Sequence, residues 1–161
     1  MTEYVAVGID IAKHKFDVAV LLGPKCRNKV FANTAAGFDD LLAWLRALTP
    51  QSLHVCMEAT GRYGEALAVY LSQAGVRVSV VNAFQIAKFA QALGTRNKTD
   101  RQDARTIARF CQTQQPQPWQ APSPELQSLR ELVRRLDALL GLQRQELNRL
   151  ELASPSTRAS I

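Results

Sequence analysis

Tyr4-Val5-Ala6-Val7-Gly8-Ile9-Asp10 decides how this chain reads: an apolar run suited to a buried strand ends on a carboxylate. A buried charge is costly unless something pairs with it, so an acid in that position asks for a reason. The arrangement recurs at Leu53-His54-Val55-Cys56-Met57-Glu58. A third stretch, Lys98-Thr99-Asp100-Arg101-Gln102-Asp103-Ala104, puts two further acids on the first turn of a predicted helix. At a spacing of three residues their side chains are neighbours, about 5–6 Å apart at Cβ.

Working outward, three strand-like runs come first, over 4–10, 15–22 and about 29–33, and Gly23-Pro24 marks a turn between the second and third. Thr34 caps a predicted helix over 35–48, with Phe38, Leu41, Leu42, Leu45 and Leu48 at helical spacing and Pro50 just past its end. Predicted strands over 53–57 and 76–81 then alternate with predicted helices over about 63–73 and 83–93, closed by Gly75 and Gly94. Thr99 and Gln102 form a capping box for the helix carrying Asp100 and Asp103, with Ile107, Ala108 and Cys111 on its inner face. An antiparallel meander followed by alternating helices and strands is an α/β architecture with a mixed sheet flanked by helices, the order of the ribonuclease-H-like fold.

That domain is expected over residues 1–113. Residues 114–124, with Pro116, Pro118, Pro122 and Pro124 among several glutamines, read as a stiff, extended linker. Over 125–152, Leu129, Val133, Leu136, Leu140, Gln143, Leu147 and Leu150 step by four and three residues, a heptad seam with one polar interruption and a candidate dimerisation surface. The alternative is a helix folded back on its own domain, since Leu126, Leu132, Leu139 and Leu142 widen the stripe. Residues 153–161 read as a polar, disordered tail.

The chain has 161 residues and a formal net charge of +6, a balance that favours a polyanionic partner. The excess concentrates beside the acids, where Lys88, Arg96, Lys98, Arg101, Arg105 and Arg109 outnumber Asp100 and Asp103, whereas the 125–152 helix balances its arginines with acids. Phosphate binding is one reading of that segment and a solvated helix face is the other. Phe84, Phe89 and Phe110 read as core rather than base-stacking residues. No apolar run approaches the ~20 residues a membrane-spanning helix needs, and no signal-like N-terminus is present, so a cytoplasmic protein is expected. Cys26, Cys56 and Cys111 show no paired spacing, and His54 with Cys56 lacks two further nearby ligands, so neither disulfide nor zinc is indicated.

Phosphodiester chemistry needs the attacking oxygen activated, the leaving oxygen stabilised and negative charge offset; two magnesium ions about 3.5–4 Å apart do all three, and hard cations take carboxylate oxygens. Asp10, Glu58, Asp100 and Asp103 are therefore candidate metal ligands if the fold gathers them. Each also has a plain structural role open to it. Asp100 and Asp103 complement the helix dipole, Asp10 turns a strand end and Glu58 pairs with Arg62. Asp17, on the second strand, reads as structural or as a support to the ligands.

Gly8-Ile9-Asp10-Ile11-Ala12-Lys13, Glu58-Ala59-Thr60-Gly61-Arg62-Tyr63 and above all Asn97-Lys98-Thr99-Asp100-Arg101-Gln102-Asp103-Ala104 resemble the DEDD-type insertion-sequence transposases, in order and spacing over roughly residues 4–112. The resemblance implies a RuvC-like N-terminal domain whose catalytic, metal-binding acids are Asp10, Glu58, Asp100 and Asp103, with Mg2+ or Mn2+, two ions, as cofactor. It implies DNA as partner, in some members a structured guide RNA, and self-association through a helical region. Lys13, Arg62, Lys88, Arg96, Lys98, Arg101 and Arg105 are the candidate nucleic-acid contacts. Two departures stand out. Ala83 follows Asn82 where the family often has proline, and none of Ser123, Ser154, Ser156 or Ser160 matches the nucleophilic serine of the family's C-terminal domain, so this stretch is expected to supply half of a strand-exchange site. A free-standing RuvC-like resolvase or nuclease, and a non-catalytic nucleic-acid-binding dimerisation module, are the competing functions.

Overall fold

The computed structural model describes residues 4–59, 61–94 and 99–158, with Asp100 placed as backbone. In chain order the elements are β1 (Tyr4–Ile11), β2 (Lys15–Leu22), β3 (Lys25–Ala32), α1 (Ala35–Leu48), β4 (Ser52–Glu58), α2 (Glu65–Gln73), β5 (Arg77–Val81), α3 (Ala83–Ala92), α4 (Asp100–Gln114) and α5 (Pro124–Leu152). The strands form one five-stranded mixed sheet in the order β3-β2-β1-β4-β5. β1, β2 and β3 run antiparallel as a meander, while β4 and β5 continue parallel to β1. This is the ribonuclease-H-like, RuvC-like arrangement that the order of elements predicts.

Side chains alternate across a strand, so each strand feeds two different cores. Val5, Val7, Ile9 and Ile11 of β1 join Phe16, Val18 and Val20 of β2 and Val55 and Met57 of β4 beneath α1 and α2. Leu41, Leu45, Leu67 and Leu71 are fully buried there, each contributing about 1.5–3 kcal/mol of apolar burial. The opposite face is built from small residues: Ala6, Gly8 and Ala19 lie under Ala104, Ile107, Ala108 and Cys111 of α4. Thr34 caps α1, its Oγ1 accepting the Gly37 N–H at 3.2 Å.

Several boundaries differ from the sequence reading. β3 begins at Lys25, not near 29, because Gly23 takes φ +58° and the two-residue turn lets Leu22 pair with Lys25 at once. α2 begins at Glu65, since Gly61 to Gly64 are spent on turns. The segment after α4 is extended but docked: the Trp119 N–H donates to the Val78 carbonyl at 2.7 Å, and Ser79 Oγ donates to the Gln117 carbonyl at 2.8 Å.

The chain divides into two compact units, 1–121 and 122–161. In the second, Ser123 Oγ accepts the Leu126 N–H at 3.3 Å and Pro124 opens α5, which buries none of its residues and leaves Leu129, Val133, Leu136, Leu140, Leu147 and Leu150 exposed. Of the tail, residues 153–158 are described. The Ser154 carbonyl accepts the N–H groups of Thr157 and Arg158 at 3.0 and 3.1 Å, closing a turn that returns Arg158 toward Leu147, Leu150 and Glu151. Among the described residues no helix is long and apolar enough to cross a membrane.

Candidate functional site

Asp10 is the penultimate residue of β1, on the face covered by α4. The antiparallel register sets it directly opposite Asp17. Like charges facing each other across a pair of strands repel, and Asp17 is only 9% exposed. Lys15 offsets part of this, its Nζ standing 3.4 Å from Asp17 Oδ2.

Glu58 closes β4. The parallel register pairs Gly8 with Cys56 and Ile9 with Met57, so one further step sets Glu58 beside Asp10, about 4.8 Å away in the strand-to-strand direction. It shares the α4 face, because Cys56, two residues earlier, packs in that core. The Ala59 N–H donates to the Val81 carbonyl at 2.8 Å and holds the chain as it leaves Glu58.

Asp103 arrives from α4. Thr99 caps the helix, with its Oγ1 accepting the Gln102 N–H at 3.2 Å and its carbonyl accepting the Asp103 N–H at 2.8 Å. What brings this first turn close to Asp10 is Gly8: a Cβ there would lie 2.1 Å from the Ala104 carbonyl oxygen and 2.2 Å from the Ala108 nitrogen. Hydrogen on Gly8 therefore sets how closely α4 seats on the sheet, and Asp103 precedes the contacting Ala104. Asp100 is the first residue of the same helix.

The fold thus gathers Asp10, Glu58 and the first turn of α4 at one end of one sheet face, with Asp17 beside them. Asp10, Glu58 and Asp103 are half-buried, and each is engaged by another group. Among the described residues no three His, Cys, Asp or Glu side chains converge as a closed ligand set. The donors are hard oxygens on one face, which is the chemistry a divalent cation such as magnesium takes.

Of the basic candidates, Lys13 is exposed in the loop after β1, Arg62 in the turns after β4 and Arg101 on α4, while Arg105 is half-buried. Lys88 is exposed on α3, with its ammonium 5.4 Å from the centre of the Phe84 ring. Arg96 and Lys98 lie outside the described residues. Phe89 and Phe110 are packed edge to face with centroids 5.3 Å apart, but Phe84 is 66% exposed, contrary to its reading as core. It sits at the second position of α3, where the helix has not yet turned onto the sheet.

Asn33 escaped the sequence reading. Its Nδ2 donates to the carbonyls of Ala12 and Tyr63, both at 3.0 Å, bracing the loop after Asp10 to the turn after Glu58. The one sequence signal was an amide residue at a strand end. Behind the acids, His54 Nε2 pairs with Ser79 Oγ at 2.8 Å and the Cys111 thiol donates to the His54 carbonyl at 3.3 Å. The buried Cys56 and Cys111 thiols face each other, an interaction that lowers the Cys111 pKa from its ordinary value and, together with burial, raises that of Cys56.

Residues 7–153 match the IS110 family of DEDD transposases, described as Transposase. The chain is 40% identical over 119 residues to the pilin gene-inverting proteins of Moraxella lacunata and Moraxella bovis, a match that spans 73% of this chain and 37% of theirs. In fold it is similar to Thermus thermophilus RuvC, solved with a Holliday junction substrate, at TM-score 0.50 and 17% identity, covering 72% of this chain and 99% of that one.

Proposed function

The chain belongs to the IS110 family of DEDD transposases, and from that premise we propose that it supplies the metal-binding carboxylates for DNA strand cleavage and exchange. The observation that carries this reading is the meeting of two acid-terminated parallel strands, at Asp10 and Glu58, with the first turn of α4 on one sheet face. Asp10, Glu58, Asp100 and Asp103 would hold Mg2+ or Mn2+, two ions in the full site. When bound, such ions lower the pKa of a coordinated oxygen nucleophile and offset charge on the phosphate.

The protein's own contribution is placement. Rigid strand ends hold Asp10 and Glu58, Gly8 lets α4 bring Asp103 down to them, and Asn33 ties the two flanking loops together. Binding an ion would exchange the present partners of these carboxylates for metal and relieve the repulsion between Asp10 and Asp17. Lys13, Arg62, Lys88, Arg96, Lys98, Arg101 and Arg105 would neutralise backbone phosphates. DNA is the proposed partner, in keeping with the gene-inverting relatives and the junction-bound RuvC neighbour; a structured RNA is a further partner of the full-length protein. α5 would join two copies through its leucine seam. The chain spans 37% of the length of the curated relatives it matches, so strand rejoining is assigned to the whole protein.

The test is calorimetric titration with Mg2+ and Mn2+ of wild type and Asp10→Asn, alongside nicking of branched and linear duplex DNA. Metal binding that falls at least tenfold in Asp10→Asn, with an unchanged circular-dichroism spectrum, is expected. Equal binding by both proteins would overturn the assignment of Asp10. Efficient metal-dependent nicking by this chain alone would move the function to a self-sufficient nuclease.

A further inference from the structure

On the β3 side of α4 lies a polar cavity of about 250 Å³, lined by Cys26, Asn28, Thr99, Arg101, Gln102 and Arg105. It is smaller than the ~300–1,000 Å³ typical of pockets for drug-sized ligands. None of these six residues is acidic. The cavity is walled on one side by the edge strand β3 and on the other by the first two turns of α4, the helix that also carries Asp103.

Among the described residues its lining is rich in donors. Arg105 Nε is buried without a hydrogen-bond partner, a costly state for a charged group in a folded protein. Asn28 uses its Oδ1 to accept from the Cys26 thiol at 3.6 Å and one Nδ2–H on the Val18 carbonyl at 3.5 Å, which leaves its second N–H to give. Arg101 lies one helical turn before Arg105, so both guanidinium groups project from one side of α4. Thr99 Oγ1 is already spent on the helix cap. Among the described lining residues Arg101 and Arg105 have no acidic counterpart, a balance that suits an anion with several acceptor oxygens. A guanidinium fork matches a phosphate in geometry as well as charge.

We propose that this cavity is a subsite for one backbone phosphate of the DNA, bound by Arg105, Arg101 and Asn28 on the opposite flank of α4 from Asp103. The proposal rests on the DNA-cleaving reading above and adds to it a fixed point of contact. α4 would then set the distance between the held phosphate and the carboxylates, so the strand is gripped and presented by one rigid helix. Of the described basic candidates Arg105 is the half-buried one, and it would be the fixed contact, with the exposed Arg101 beside it in the cavity and the exposed Lys13, Arg62 and Lys88 outside it.

The experiment measures duplex DNA binding by the full chain, without metal, over a range of salt for wild type, Arg105→Gln, Arg105→Lys and Asn28→Ala. Asp10-dependent magnesium binding is measured on each in parallel. For Arg105→Gln we expect at least a tenfold loss of DNA affinity and a salt slope shallower by about 0.9, the value for one neutralised phosphate. Arg105→Lys should keep the slope and lose affinity, because charge remains and the fork does not. Asn28→Ala should weaken binding severalfold. Magnesium binding should be unchanged in all three, which also certifies their fold. Wild-type affinity and slope in Arg105→Gln and Asn28→Ala, with DNA still bound, would overturn the subsite and leave the cleavage reading intact. Failure of wild type to bind DNA would instead overturn the reading on which it rests. Inorganic phosphate is the remaining arm: displacement by DNA supports a backbone site, whereas tight phosphate binding that DNA does not compete away would reassign the cavity to a free anion.

Discussion

A single hydrogen atom on Gly8 governs the spacing between the sheet and the helix that brings Asp103. In Gly8→Ala the added methyl would enter the space of the Ala104 carbonyl and the Ala108 nitrogen, and backbone on both sides gives way poorly. The expected cost is about 3 kcal/mol or more in urea unfolding, with magnesium affinity falling further than Asp103→Asn alone would take it, since the whole first turn of α4 is displaced. Tyr4 gives a prediction of opposite sign. Its hydroxyl is buried without a partner, beside His54 and with Arg77 over its ring, so Tyr4→Phe should leave stability unchanged or raise it by up to about 1 kcal/mol. Burial raises the Tyr4 pKa above its ordinary value. Its share of stability is therefore complete below the unfolded-state value near 10 and is lost as pH rises through the folded one. Melting at about pH 8 and about pH 11 should show a smaller alkaline loss in Tyr4→Phe than in wild type. Asp10 and Glu58 were legible at this scale because each ends an apolar run. Asn33 and Phe84 were not, because the carbonyls that Asn33 holds and the absence of cover over Phe84 are set by parts of the chain distant in sequence.

At the scale of elements, alternation and helical spacing were strong enough to read the order of strands and helices, and errors gathered at turns. β3 was read short because Lys25-Cys26-Arg27-Asn28-Lys29 is too polar to announce a strand; it pairs there because the Gly23-Pro24 turn leaves its register no slack. Asp17 reads from the sequence as structural or as a support to the ligands, but not as the residue facing Asp10. Only the loop from Ala12 to Lys15, closed by the Ala12 N–H on the Lys15 carbonyl at 2.9 Å, sets Asp17 against Asp10. α5 carries the clearest prediction among the helices. Its seam residues are exposed, and a single helix gains most of its stability from packing. If two copies pair through it, replacing both Leu136 and Leu140 with lysine should shift sedimentation from dimer to monomer and lower helicity, while leaving the unfolding of residues 1–121 unaltered. A wild-type chain that sediments as a monomer at high micromolar concentration would remove the case for the seam.

The molecule as a whole divides its two sheet faces by side-chain size. One face carries the bulky residues, buried under α1 and α2, and holds most of the apolar area; the other is shallow and admits α4 close to the backbone. The family was legible because Asp10 and Glu58 stand at the ends of strands and Asp103 in the first turn of α4, places that fix their spacing in the sequence. How their side chains are turned depends on rotamers, which no spacing encodes. One consequence concerns colloidal behaviour. An open sheet offers two rims of unpaired backbone to any neighbour with a free strand. Here the rim at β5 is taken up by the proline-bearing segment through Trp119, and Pro116 and Pro118 have no N–H with which to extend the ladder. The rim at β3 exposes Lys25, Arg27 and Lys29 in alternation. A second sheet approaching there meets a row of like charges, so the residues that make this strand hard to recognise also keep copies of the protein from stacking edge to edge.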